Sequence, residues 1–182
     1  MKNLSHHNKQ ETEKQEIFTS KGFQLEKLQL FEEILSGGSS LRIRVTGKSM
    51  FPFLRGGEIL TIKKVPSFSL RKGDLIFFKN IYGYPLLHRI IKIRESYDKT
   101  FIFFTKGDAL GSIDEPVEQN KVLGKVCKIE KTYPDTLIKN MDMGSHFWRN
   151  INLSIALAHR LYGNLSRIKI FAYRMLISNL FK

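Results

Sequence analysis

Leu41-Arg42-Ile43-Arg44-Val45-Thr46 alternates apolar and polar side chains, and Gly47-Lys48-Ser49-Met50-Phe51-Pro52 follows it directly. A period of two puts Leu41, Ile43 and Val45 on one face of an extended strand and the arginines on the other. The same reading applies to Ile59–Ile62, Asp74–Phe78, Leu86–Ile93, Phe101–Thr105 and Val122–Ile129. Turn-forming stretches separate them: Arg55-Gly56-Gly57, Lys72-Gly73, Tyr82-Gly83-Tyr84-Pro85, Lys106-Gly107-Asp108 and Asp114-Glu115-Pro116. Short strands at close intervals predict a compact, mainly β barrel or sandwich, not a parallel sheet with crossover helices.

The flanks read differently. Residues 1–22 form a polar leader rich in Lys, Glu, Gln and His, where the adjacent His6 and His7 are expected to be solvated. Phe23, Leu25, Leu28, Phe31, Ile34 and Leu35 approximate a helical stripe, and Gly37-Gly38 ends it, which predicts a helix over 23–38. The β-region is bounded at 39–135. Beyond it, 143–182 reads as a basic, amphipathic helical tail, with helices over 147–162 and 165–181 interrupted at Gly163-Asn164. Two readings of that tail stay open. It either covers the β-domain as a helical hairpin, or lies in a membrane interface with Trp148, Phe171 and Phe181 in the headgroup boundary.

Composition narrows the classes. With 182 residues and 42% hydrophobic content, the chain can bury a real core. Its single cysteine, Cys127, excludes an internal disulfide framework and a multi-cysteine metal site. The net charge of +13 is unevenly distributed. From Met143 onward the cations are Arg149, Arg160, Arg167, Lys169, Arg174 and Lys182, with no carboxylate among them. An anionic membrane surface met through 143–182 is therefore the expected partner of this charge. Zinc-finger spacing, a basic zipper and an RNA-recognition motif are all missing, so nucleic acid is not an expected partner. No stretch reaches the roughly 18 apolar residues of a spanning helix, and no apolar region follows the first lysine as in a cleavable signal peptide. The expected location is peripheral to a membrane or cytoplasmic.

Three segments carry chemistry, and each has a plain structural explanation by itself. Ser49 stands where a strand meets a turn, where most serines only hydrogen-bond locally. His88 interrupts the apolar run Leu86-Leu87-His88-Arg89-Ile90-Ile91, where a histidine is ordinarily a satisfied core residue. Thr105-Lys106-Gly107-Asp108, with Asp114 six residues beyond Asp108, is good turn chemistry.

Taken together, the order is more specific. Gly-x-Ser-Met-x-Pro, Arg-Gly-Gly-Glu, Lys-Gly-Asp, His-Arg-Ile, Thr-Lys-Gly-Asp and Gly-Lys-Val, spread over Leu41 to Ile129, resembles the signal-peptidase superfamily of serine proteases. More narrowly, it is similar to the endoplasmic-reticulum and archaeal type of signal peptidase I. The resemblance implies a complex β-fold shared with self-cleaving SOS-type repressors, flanked here by the N-terminal helix and the C-terminal amphipathic helices. It implies Ser49 as nucleophile and His88 as general base, where bacterial relatives use lysine. Asp114 is the expected partner of His88, with Asp108 supporting the site or sharing that role. The Ser49 backbone N–H and the Gly47 region would form the oxyanion hole, and Met50 and Pro52 would lie near the substrate pockets. No metal or other cofactor is implied.

The implied substrate is an extended peptide or preprotein segment with small residues beside the scissile bond. Imidazole titrates near neutral pH and is suited to take the serine proton, provided a carboxylate orients it. Three features depart from the family pattern. Lys48 replaces the usual small residue before the nucleophile, Gly47 replaces a serine that contributes a hydroxyl to the oxyanion hole, and the usual N-terminal membrane anchor is not seen. They motivate an alternative: a catalytically silent module of the same fold that captures extended peptides.

Overall fold

A computed structural model describes residues 26–132 and 138–161. The stretches expected as the polar leader and the second tail helix lie outside these residues. The described chain is mainly β. It contains β1 (Leu41–Arg44), β2 (Ile59–Lys63), β3 (Leu75–Lys79), β4 (Pro85–Glu95), β5 (Phe101–Lys106), β6 (Val117–Glu118), β7 (Val122–Thr132) and β8 (Ile138–Asp142). Two α-helices flank them: α1 over 26–36 and α2 (His146–Leu161).

All strand pairs are antiparallel, in the order β1-β2-β7-β3-β4-β5-β6, with β8 added on β7. The long β7 organises this sheet. Lys125 faces Lys63 of β2 and Ile76 of β3, while Lys128 faces Thr61 of β2 and Asp142 of β8. One edge of β7 thus holds β2, and the other holds β3 and β8 in succession. Register breaks at Thr61/Ile62, Phe77/Phe78 and Ile90/Lys92 mark bulges, which bend strands and raise their twist.

Six of the eight strands correspond to the predicted ones. β6 and β8 have no sequence signature: β6 is two residues long, and Ile-Lys-Asn-Met-Asp carries apolar side chains three positions apart. Because β8 belongs to the sheet, the sheet extends beyond residue 135, where the sequence had placed the end of the β-region.

The sheet separates two apolar clusters. Leu60, Ile62, Phe77, Val126 and Ile129 lie on one side with Leu28 and Leu35 of α1 and Trp148 and Ile155 of α2. Ile76, Phe78, Ile90, Phe103, Val117 and Leu70 form the other. Full burial of each such side chain contributes about 1.5–3 kcal/mol. Phe77 faces one cluster and its neighbours Ile76 and Phe78 the other, as the strand period requires.

Helix α1 ends in a Schellman motif, in which Ser39 N–H donates to Ile34 C=O at 3.2 Å and Gly38 N–H to Leu35 C=O at 3.2 Å. Gly38 takes φ +80°, the left-handed conformation that favours glycine there. At the other end of the chain the structure corrects one expectation. Trp148 is 8% exposed and meets the Phe53 ring edge-on at 6.2 Å, so it packs the core and is not available to a membrane interface. The first half of the tail is a structural helix.

Candidate active site

Strand alternation gives adjacent residues of β4 different surroundings. His88 shares the face of Leu86 and Ile90, while Arg89 shares that of Leu87. Each then receives a carboxylate from the β5–β6 connection. His88 Nδ1 lies 2.7 Å from Asp114 Oδ2. Arg89 donates from Nε to Asp108 Oδ1 at 2.8 Å and from Nη2 to Asp108 Oδ2 at 2.7 Å.

The His88 side chain is 4% exposed and that of Asp114 is 18% exposed. A carboxylate accepts hydrogen bonds, so this contact suits an N–H at His88 Nδ1 and leaves Nε2 as the ring nitrogen not engaged by Asp114. Thr105 Oγ1 donates to the same Asp114 oxygen at 2.7 Å, and Asp114 N–H donates to Thr105 C=O at 2.9 Å. The carboxylate is therefore fixed by its backbone and by a hydroxyl before it reaches the imidazole. Phe78 meets the imidazole edge-on at 6.3 Å.

Asp108 is held differently. Burial pushes its carboxyl up, but the Arg89 charge and hydrogen bonds, with the His159 contact, outweigh burial and hold it below the usual range. The Asp108 side chain is 1% exposed and that of Arg89 fully buried.

Ser49 joins the site through its backbone. Its carbonyl accepts the Ala109 N–H at 2.8 Å, and a Cβ on Gly107 would stand only 2.8 Å from the same oxygen. The β4–β5 ladder runs through Ile90↔Thr105 and Arg89↔Lys106, where β5 ends one residue before Gly107. Ser49 thus packs over the glycine that directly precedes Asp108. The Ser49 hydroxyl makes no hydrogen bond among the described residues, either to His88 or to another group.

The remaining expected residues are placed as follows. Gly47 is exposed, with open space where a Cβ would stand. Lys48 is exposed as well. Met50, expected near the substrate pockets, is a core residue at 2% exposure, and Pro52 is also buried. A cavity of about 210 Å³ does adjoin Asp114, lined by Phe78, Ile81, Tyr82, Leu86 and Val117 among others. No three His, Cys, Asp or Glu side chains converge as metal ligands among the described residues.

Sequence reasoning overlooked Thr105, Asn152 and His159, and gave Arg89 no role. Arg89 had a visible signal, an arginine on the apolar face of a strand, which burial obliges to find a carboxylate. Thr105, Asn152 and His159 had none, because their contacts depend on elements brought together only by folding.

No family model matches the chain. A stretch of 77 residues is 32% identical to the signal peptidase complex catalytic subunit SEC11C of Canis lupus familiaris, Homo sapiens and Mus musculus. The likeness is to a signal-peptidase catalytic subunit. It covers 41% of this chain and 40% of each relative, so the chain matches about two fifths of their length.

Proposed function

We propose that this chain is a serine endopeptidase of the signal-peptidase type. The observation that carries the reading is the 2.7 Å contact between His88 Nδ1 and Asp114, on residues occupying the motif order of that superfamily. The partial similarity to signal-peptidase catalytic subunits supports it.

In this reading an extended peptide lies along the site and presents a carbonyl carbon to Ser49. Ser49 Oγ attacks as its proton passes to His88 Nε2, and Asp114 stabilises the imidazolium that forms. The Ser49 N–H, beside Gly47, holds the developing oxyanion, a donor of a kind worth about 3–4 kcal/mol. The imidazolium returns its proton to the leaving amine, leaving an acyl-serine. A water activated by the same imidazole then releases the acyl group. The site selects small side chains beside the scissile bond, as the resemblance implies. Hydrogen bonds of this kind tighten when substrate arrives, which accommodates the absence of a Ser49–His88 bond.

The decisive experiment incubates purified protein with a fluorophosphonate probe and with a signal-peptide-like substrate, comparing Ser49→Ala and His88→Ala. Both substitutions are expected to abolish cleavage, and Ser49→Ala also labelling. Cleavage unchanged in both variants overturns the mechanism.

The unbonded Ser49 hydroxyl favours one second reading, a silent module of the same fold that binds extended peptides without cleaving them. Tight peptide binding without turnover, in protein with Ser49 intact, identifies it. Under either reading the proposed location is an anionic membrane surface, met through the cations of the tail beyond α2.

A further inference from the structure

Two polar side chains of α2 reach the same buried ion pair. Asn152 Oδ1 accepts from Arg89 Nη1 at 2.6 Å, alongside Gly73 C=O at 3.0 Å. His159 Nε2 lies 3.2 Å from Asp108 Oδ1. The Arg89–Asp108 pair is thus gripped from the helix on both its cationic and its anionic side.

We propose that Asn152 and His159 are positioning residues for Ser49, acting through Arg89 and Asp108; the inference rests on the catalytic reading above. Asp108 sits between Gly107, which abuts the Ser49 carbonyl, and Ala109, which donates to it. A shift of the Asp108 carboxylate therefore moves both backbone groups that hold Ser49. Asn152 has no slack to absorb such a shift, since a Cβ on Gly73 would fall 2.6 Å from its backbone carbon. The other end of the nucleophile segment is held from the same helix. The Phe53 ring lies under the Arg89 guanidinium at 4.7 Å and against Trp148 of α2.

His159 carries the clearest signature. The Asp108 carboxylate, held below the usual range, accepts, so His159 Nε2 faces it as an N–H donor. Its Nδ1 is buried with no hydrogen-bond partner among the described residues. Burying an orphan nitrogen costs stability that an apolar residue of similar shape would avoid. What the imidazole supplies in return is one directed N–H to Asp108.

Glutamine and asparagine separate this role from packing. The amide nitrogen of His159→Gln extends to the Nε2 position, whereas His159→Asn reaches only as far as Nδ1. His159→Asn is expected to lower kcat about 10- to 100-fold with KM little changed, as displaced reacting groups do. His159→Gln retains most of the wild-type kcat. At Arg89, Asn152→Asp preserves the acceptor and Asn152→Ser withdraws it, giving the same contrast should the first pair fold poorly.

Amide hydrogen exchange supplies a readout independent of turnover. The Ala109 amide is expected to exchange at least about tenfold faster in His159→Asn and Asn152→Ser, with the β2 and β7 amides unchanged. Equal kcat and equal Ala109 exchange within each pair overturn the proposal, as does uniform acceleration of every amide. Should Ser49→Ala leave cleavage intact, the catalytic reading falls, while Ala109 exchange still decides whether α2 holds the Ser49 loop.

Discussion

Ala109 donates its backbone N–H to the Ser49 carbonyl at 2.8 Å, over a glycine whose missing side chain makes the approach possible. In Gly107→Ala the new Cβ would lie 2.8 Å from the Ser49 oxygen and 2.9 Å from the Leu110 side chain. Leucine can rotate, but a backbone carbonyl cannot. The substitution is expected to destabilise the fold by about 1–3 kcal/mol and to slow fluorophosphonate labelling of Ser49. Chemical denaturation and labelling rates measure both, and a labelling rate equal to wild type would show that this contact does not position Ser49.

The two carboxylates of the β5–β6 connection should separate activity from stability. Asp114→Asn leaves the Arg89 network intact but removes the charge that orients and stabilises the His88 imidazolium. Its kcat is expected to fall about 10³–10⁴-fold, with a stability change of about 1–2 kcal/mol. Asp108→Asn strips a buried guanidinium of its charge partner, at a cost of about 3–5 kcal/mol. Kinetics and urea melts on both variants check this, and the reverse order would exchange the two roles.

Acid should reveal Asp108 as well. Its folded-state carboxyl titrates below the unfolded value of about 3.9. Its stabilisation is therefore complete above that value and is lost as pH falls through the folded pKa. Urea midpoints recorded downward from pH 7 should decline more steeply below about pH 4 in wild type than in Asp108→Asn. Parallel curves would contradict the assignment.

Gly47 offers a gain-of-function test. A Cβ there meets nothing within 4 Å, so Gly47→Ser should fold with stability within about 0.5 kcal/mol of wild type. If the Gly47 region borders the oxyanion, the added hydroxyl raises kcat. A folded Gly47→Ser protein with unchanged or lower kcat would place the oxyanion elsewhere.

The membrane proposal now concerns a shorter segment. Removing residues 143–182 would delete α2, whose Trp148, Ile155 and Ala156 are buried, and is expected to unfold the domain. Removing 162–182 takes away Arg167, Lys169, Arg174 and Lys182 while sparing that helix. This shorter truncation should fold and lose salt-sensitive flotation with acidic liposomes. Flotation that persists would place the contact on the β-domain.

Local pattern alone determined much of this protein. Alternation in Leu41–Arg44, and short apolar runs such as Leu75–Phe78 and Phe101–Phe104 set between turn residues, are properties of consecutive side chains, so the mainly β class was legible in them. The helical stripe of Leu28, Phe31, Ile34 and Leu35, closed by Gly37-Gly38, was legible for the same reason. Ser49, His88, Asp108 and Asp114 could be singled out by motif order, and the resemblance implied Asp114 as the partner of His88; the partners of Arg89 could not be read. Pairing depends on which face of β4 each basic side chain occupies and on how the β5–β6 connection folds back. Those are long-range facts: His88 and Asp114 are 26 residues apart, and Arg89 and Asn152 are 63 apart. The tertiary structure alone decided that α2 belongs to the core. An amphipathic stripe specifies that a helix must bury one face; whether it meets a sheet or a lipid surface depends on which apolar partner the rest of the chain supplies.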